Sequence, residues 1–374
     1  MSYSQGRLLP CGLTLGWKTK QRRLLVWRSN DDTNSGTLRA DVHIKKTIPM
    51  TEQENANKTG RRLLLAASTG GHLAQLVRLS DRLRAADASV WVTFDSPQSR
   101  SLLTGKEVLN VPYIAPRDYR GALNAFRIIN SALRSMGKFD EAISTGAAIA
   151  LPALCSARVN GIPTRYIESV SRTDGPSLSG KIIAWTRCAE LETQHQKWAN
   201  GRWKYRGTVL DSYQAVSAKK DLLPLSAESK IFVTLGTIRP YRFDSMIEAV
   251  LALGISNENS VWQVGVTNRN DLPGRVLESV SSEEFDELVR ESDVTITHSG
   301  VGSIMRILDL GKTPVVIPRS SRRNEHVDDH QEQIAALLKE RELGVVARAH
   351  ELELSDIERA RATTVIPGGE AATS

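Results

Sequence analysis

Short apolar runs alternate with amphipathic stretches along most of this chain. Leu63–Ala67 is an uninterrupted apolar run that ends in Ser-Thr-Gly-Gly. A strand covered on both faces needs no polar alternation, so the run predicts a buried strand. Leu73, Leu76, Leu79 and Leu83 then recur at helical spacing. The pattern predicts further strands over residues 90–94, 107–114, 141–144 and 164–168, and helices near 119–136 and 149–159. Residues 171–213 carry no clear period. A second series begins at Ile231, with strands over 231–235, 261–264, 294–297 and 314–317 and helices near 243–253, 283–291, 302–310 and 329–340. This alternation of strand and helix implies parallel sheets with helices on both faces.

Between the two series lies Lys219 to Lys230 (KKDLLPLSAESK), charged, polar and broken by Pro224. It reads as an interdomain linker. The expected organisation is an extension over 1–60, a first Rossmann-like domain over 61–218, a second over 230–361, and a tail over 362–374. Two such domains imply a cleft, with ligands beyond the carboxyl ends of the strands.

Composition narrows the classes. The chain has 374 residues, 40% hydrophobic and 24% charged, a globular profile. Its longest uncharged stretch, residues 142–157, is 16 residues long and interrupted by Gly146 and Pro152, short of the roughly 17–25 apolar residues that cross a bilayer. The net charge of +7 is unevenly placed: residues 1–60 hold ten of the 49 Lys/Arg and five of the 42 Asp/Glu. The remainder is near neutral, without a basic stripe carrying aromatics, so nucleic acid is not an expected partner. Cys11, Cys155 and Cys188 are widely spaced and make no Cys-x-x-Cys. A reducing cytoplasm fits this usage, and neither a disulfide framework nor a zinc site follows. His326 and His330 are four apart but have no evident third metal ligand. No Asp-x-Asp occurs, so the simplest carboxylate grip on a metal–diphosphate complex is missing. Neither a metal nor a cofactor is expected.

Residues 1–60 lack periodicity and hold Trp17, Trp27 and basic clusters at 18–23 and 45–46. No apolar core of 7–15 residues follows the charges, which argues against a secretory signal. Met50 as the true start is the favoured explanation, and a basic arm touching anionic lipid is the other.

Three turns follow predicted strands and open predicted helices: Ser68-Thr69-Gly70-Gly71-His72, Leu235-Gly236-Thr237, and His298-Ser299-Gly300-Val301-Gly302-Ser303. Glycine permits close backbone approach, and free amides at a helix start attract anions. The third turn is the strongest diphosphate candidate, with Gly300 and Gly302 clearing space and Ser299 and Ser303 adding hydroxyls. A dinucleotide fingerprint is not met, since Met305 stands where its third glycine belongs. Arg319 to Gln331 (RSSRRNEHVDDHQ) follows a predicted strand. There Arg319, Arg322 and Arg323 could neutralise a diphosphate, and Asp328, Asp329 and Gln331 could bond sugar hydroxyls. Asp328 also suits a helix N-cap.

Five landmarks stand in order: Ser-x-Gly-Gly-His at 68–72, Ile-Glu-Ser at 167–169, Val-Thr-Leu-Gly-Thr at 233–237, His-Ser-Gly-Val-Gly-Ser at 298–303, and Glu-His-Val-Asp-Asp-His-Gln at 325–331. Together they resemble the two-subunit glycosyltransferases, here with both halves fused. Residues 61–215 are similar to the acceptor-side subunit and residues 230–350 to the nucleotide-sugar subunit. Bacterial exopolysaccharide glucuronosyltransferase pairs are examples. The fused layout also resembles the MurG-type peptidoglycan N-acetylglucosaminyltransferases of family 28. The resemblance implies a GT-B fold and inverting, metal-independent transfer of a hexosyl group (GlcNAc, GlcA or Glc). The donor would be a UDP-sugar, and the acceptor a lipid-linked sugar or polysaccharide. It places Gly300, Gly302 and Ser303 at the diphosphate with His298 and Ser299 in the same turn, and Thr237 opposite. Uracil falls near Val280 and Ser281, and the donor sugar near Asp329 and Gln331. Ser68, Gly70 and Gly71 form the acceptor-side loop. Where relatives often carry a carboxylate for the ribose hydroxyls, this chain has Arg306, which cannot accept their bonds. Asp309 is one turn further on.

His72, an imidazole at a strand end, suits proton abstraction. Glu168 is the rival base, and a helix-start histidine bonding a backbone carbonyl is the plain alternative. The helix near residues 119–138 puts Arg120, Arg127, Arg134 and Lys138 on one face and Leu123, Phe126, Ile129, Leu133 and Met136 on another. Such a helix either covers the sheet or lies on an anionic membrane. The expected location is the cytoplasm, with peripheral contact at the inner face of the plasma membrane. A UDP-sugar epimerase of the same architecture is the alternative function, and a silent anchoring subunit a third.

Overall fold

A computed structural model describes residues 60–115, 117–217, 224–237, 239–326 and 330–368. The expectations for residues 1–59 and for Asp328 and Asp329 lie outside the described residues.

The first lobe is built on a seven-stranded parallel sheet in the order β3-β2-β1-β4-β5-β6-β7. Its strands are β1 (Leu63–Ala67), β2 (Val90–Phe94), β3 (Glu107–Val111), β4 (Glu141–Gly146), β5 (Thr164–Ile167), β6 (Glu190–Thr193) and β7 (Trp203–Tyr205). Its helices are α1 (Gly71–Arg82), α2 (Pro97–Leu102), α3 (Tyr119–Ser135), α4 (Ala150–Val159) and α5 (Leu178–Thr186). Side chains alternate between sheet faces. Leu63 and Leu65 therefore meet Leu73, Leu76 and Leu79 of α1, while Leu64 and Ala66 meet Ile129, Leu133 and Leu154 from α3 and α4.

A short strand, β8 (Tyr213–Ser217), leaves this lobe. The second sheet has six parallel strands in the order β11-β10-β9-β12-β13-β14. They are β9 (Ile231–Thr234), β10 (Val261–Gln263), β11 (Arg275–Leu277), β12 (Val294–His298), β13 (Val315–Ile317) and β14 (Val345–Val346). Helices α6 (Asp244–Ala252), α7 (Ser282–Glu291), α8 (Val301–Asp309), α9 (His330–Glu340) and α10 (Leu354–Arg361) accompany them. Residues 362–374 were expected to be a tail. Instead β15 (Thr363–Pro367) pairs antiparallel with β8, from Thr363 opposite Ser217 to Pro367 opposite Tyr213. The chain thus returns to the strand that leaves the first lobe, and Val365 is buried.

In both sheets the strand order reverses direction at one point, between β1 and β4 and between β9 and β12. Ligands in open α/β sheets bind at such switch points. The three glycine turns follow β1, β9 and β12, so topology puts all three there. The lobes also share a core, in which Leu76 and Leu79 of α1 cluster with Ile304, Met305 and Leu308 of α8.

Helix α3 lays Ala125, Ile129 and Leu133 on the sheet. Leu123, expected on that face, is instead exposed beside Tyr119. Among the described residues no helix is long and apolar enough to cross a membrane.

Candidate functional site

A cavity of about 800 Å³ lies between the lobes and takes lining residues from all three glycine turns. Helix α1 starts behind Gly70, whose φ of 93° only glycine adopts readily, and no side chain caps it. Helix α8 starts behind Gly300, also without a side-chain cap. The two starts touch. A Cβ on Gly71 would lie 3.2 Å from Val301 Cβ, and one on Gly302 would lie 3.6 Å from the Gly71 nitrogen. Among the described residues, the amides of Gly71, His72, Val301, Gly302 and Ser303 have no hydrogen-bond acceptor. Two positive helix ends facing one another repel unless an anion lies between them.

The structure changes the account of the third turn. The Gly300 amide is not free, because it donates to the His298 carbonyl at 2.8 Å. Its missing side chain is explained by the imidazole of His298, since a Cβ there would come within 2.1 Å of Nε2. Gly236 faces the same ring, 2.6 Å from a would-be Cβ. Burial, with Arg319 nearby, pushes the His298 pKa down to about 3, so the ring is neutral. The Ser299 and Ser68 hydroxyls are buried without a partner among the described residues. Neither lines the cavity, whereas Ser303 does.

Arg319 was expected at the diphosphate and is instead a buried strut, 1% exposed. Its guanidinium donates to the carbonyls of Leu235 (2.7 Å), Glu325 (3.0 Å), Tyr241 (3.2 Å) and Arg242 (3.2 Å), and lies 4.6 Å from the Phe243 ring centre. Few donors remain for a ligand. The Gln331 Oε1 accepts from the Arg319 amide at 3.1 Å, so this amide side chain is buried too. Arg322 and Arg323 are exposed and do not line the cavity.

Thr237, Val280 and Ser281 do line it. Ser281 caps α7, its hydroxyl accepting from the Glu284 amide at 3.1 Å. Arg306 points into the cavity wall while held by the Asp286 carboxylate and by the Ser282 carbonyl at 2.7 Å. Asp309 accepts from the Tyr213 hydroxyl at 2.8 Å and pairs with Arg78 at 2.8 Å. That triad joins α1, α8 and the start of β8.

The two base candidates sit in different surroundings. The His72 Nδ1 is 2.8 Å from the Thr145 carbonyl, and the Thr145 hydroxyl donates to the His72 carbonyl at 2.8 Å. Because a carbonyl only accepts, Nδ1 carries the proton and Nε2 keeps its lone pair. Burial lowers the His72 pKa, outweighing the bond to Thr145, and Arg172 lowers it further. Glu168 is fully buried. Its carboxylate accepts from the Tyr166 hydroxyl (3.1 Å), the Ser169 amide (3.1 Å), and the Ser177 amide and hydroxyl (2.9 and 3.1 Å). It ties the loop after β5 to the N-cap of α5.

Two glutamines escaped the sequence reading. Gln98 of α2 grips the first turn, accepting from the Gly70 amide at 2.5 Å and donating to the Gly70 carbonyl at 3.2 Å. Gln75 of α1 is buried among the leucines. A polar residue at an apolar position of α1 was the available signal.

Residues 230–357 match the glycosyltransferase family 28 C-terminal domain. The UDP-N-acetylglucosamine--N-acetylmuramyl-(pentapeptide) pyrophosphoryl-undecaprenol N-acetylglucosamine transferase of Synechococcus sp. (strain WH7803) is 25% identical over 297 residues, covering 74% of this chain and 81% of that protein. Among solved structures, Methanocaldococcus jannaschii UDP-GlcNAc 2-epimerase in complex with UDP-GlcNAc and UDP superposes with a TM-score of 0.51 at 11% identity, covering 83% of this chain and 96% of that one. The spinosyn forosaminyltransferase SpnP superposes with a TM-score of 0.50 at 14% identity, covering 80% and 88%. Both share the fold. The chain is a glycosyltransferase of GT-B architecture, similar to the MurG-type enzymes and carrying a family 28 C-terminal domain over residues 230–357.

Proposed function

We propose that this protein transfers a hexosyl group (GlcNAc, GlcA or Glc) from a UDP-sugar to a lipid-linked or polysaccharide acceptor, with inversion at the anomeric carbon. The observation that carries this reading is the meeting of two uncapped helix starts, α1 and α8, in one cavity at the switch points of both sheets. A diphosphate suits both ends at once. The amides of Val301, Gly302 and Ser303 and the Ser303 hydroxyl bind it, Thr237 faces them, and Val280 and Ser281 border the uracil. Asp329 is assigned to the donor sugar; Gln331 is not, being buried against the Arg319 amide and outside the cavity lining.

In the reaction, the acceptor hydroxyl oxygen attacks the anomeric carbon while Nε2 of His72 takes its proton. The bond from that carbon to the diphosphate breaks, and its electron pair leaves with UDP. Charge growing on the diphosphate meets preorganised amides and helix dipoles, in place of a metal ion. The four donors around Glu168 leave His72 as the better base. The loop of Ser68, Gly70 and Gly71 borders the acceptor. Exposed Tyr119 and Leu123, beside Arg120 and Arg127, fit peripheral contact with the inner face of the plasma membrane from the cytoplasm.

The test is incubation with UDP-GlcNAc, UDP-GlcA and UDP-Glc separately, with and without bacterial membrane lipid extract. UDP release that requires the lipid supports transfer. Sugar isomerisation without any acceptor overturns it in favour of an epimerase.

A further inference from the structure

We propose that Gln75 is a positioning residue, whose side-chain amide fixes the His72 peptide against the loop that follows β5. The inference rests on the role given to His72 above.

Gln75 is 1% exposed and sits on the face of α1 that carries Leu73, Leu76 and Leu79. An apolar side chain would continue that stripe, and a buried amide is costly unless its bonds are met. Here all of them are. Nε2 donates to the Gly71 carbonyl and to the Ser169 hydroxyl, both at 3.1 Å. Oε1 accepts from the Val170 amide at 2.9 Å and from Gln194 Nε2 at 3.0 Å. A primary amide offers two donors and one oxygen with two lone pairs, so nothing is left over.

The partners give the arrangement its meaning. The Gly71 carbonyl belongs to the peptide that carries the His72 nitrogen, so this bond fixes the plane from which the imidazole hangs. Ser169 and Val170 directly follow Glu168, at the carboxyl end of β5. That strand neighbours β4, which supplies the Thr145 carbonyl to His72. One side chain therefore sets the separation between the His72 peptide and the loop after β5. Gln194 continues the network elsewhere, to the Glu168 carbonyl at 3.0 Å and the Val209 amide at 2.7 Å. It hydrogen-bonds neither Gly71 nor the Ser169 hydroxyl.

Three variants separate positioning from scaffolding. Gln75→Met keeps volume and loses every bond. Gln75→Glu keeps both acceptor positions and loses the donors to Gly71 and Ser169. Gln194→Met weakens the network without touching the His72 peptide. The readout is the nitrogen-15 shift pair of the His72 ring in full-length protein, beside the melting temperature and the calorimetric affinity for UDP. The wild type is expected to show one tautomer, protonated at Nδ1. Both Gln75 variants are expected to lose that single-tautomer signature, and Gln194→Met to keep it while melting earlier. If Gln75→Met does not fold, Gln75→Glu carries the test. Unchanged His72 shifts in the Gln75 variants, with only the melting temperature lowered, overturn the proposal. Failure of the wild type to bind UDP would instead strike the transferase reading, leaving the tautomer result to stand separately.

Discussion

His72 and Thr145 hold each other reciprocally, ring nitrogen to carbonyl and hydroxyl to carbonyl, each at 2.8 Å. The pair fixes the tautomer with its lone pair on Nε2, and burial lowers the pKa. A lowered pKa keeps the basic form populated into acid, so the acid limb of the rate profile should fall below the ordinary midpoint near 6.5. Replacing His72 by Gln should reduce turnover by about 10²–10⁴-fold, the usual worth of a general base, with UDP affinity preserved. Glu168→Gln sets a new N–H against donors that now meet a carboxylate. It should lower stability while the folded fraction turns over within about tenfold of wild type, below the range for losing a base. Parallel kinetics and thermal melts separate the two. Normal turnover in the His72 variant with none in the Glu168 variant would reverse their roles.

The two glycines of the third turn should respond differently. Gly300→Ala drives a methyl into the His298 ring and should cost about 1–3 kcal/mol of stability, the range for overpacking. Gly302→Ala meets only ordinary contacts, with the Gly71 backbone 3.6 Å away. It should fold normally and bind UDP more weakly, because the methyl enters the space between the two helix starts. Urea melts and calorimetry on both variants check the contrast.

Removing the Arg319 side chain orphans the carbonyls it holds. Each buried group left unpaired costs about 1–3 kcal/mol, so Arg319→Met should be severely destabilised. Arg319→Lys should recover only part of the loss, since an ammonium cannot reproduce the planar fork. A chemically stable Arg319→Met that fails only in UDP binding would restore the diphosphate role expected from sequence.

His298 predicts an acid sensitivity. Its pKa is about 3 in the folded protein and near 6.5 when unfolded. Between those values the unfolded chain takes up a proton that the folded one refuses. Stability should therefore fall as pH drops from 6.5 toward 3, by about 1.4 kcal/mol per pH unit from this residue. His298→Gln should be less stable at neutral pH but show a shallower decline over that window.

The elements that form the cleft were legible because their signals are local. Leu63–Ala67 and Val90–Phe94 are strands over the whole of their predicted spans, and the leucine stripe after His72 is helix α1. The glycine turns were legible for the same reason. Partners distant in sequence were not. Arg319 looks like a phosphate clamp within an arginine-rich loop, and only the carbonyls of Leu235, Tyr241 and Arg242, brought by another strand, show that it is a strut. Gln75 reads as an interruption of a leucine stripe until Ser169 and Gln194 arrive from 94 and 119 residues away. Ser299 looked like a donor because sequence does not reveal which way a turn hydroxyl faces. Strand β15 is short, and its pairing with β8 depends on the chain returning across the second lobe.

The most direct measurement is a crystal structure of the full chain soaked with UDP. The diphosphate should lie between α1 and α8, with its oxygens at about 3 Å from the amides of Val301, Gly302 and Ser303. Nucleotide bound elsewhere, or those amides closed off by protein groups in the soaked crystal, would contradict it.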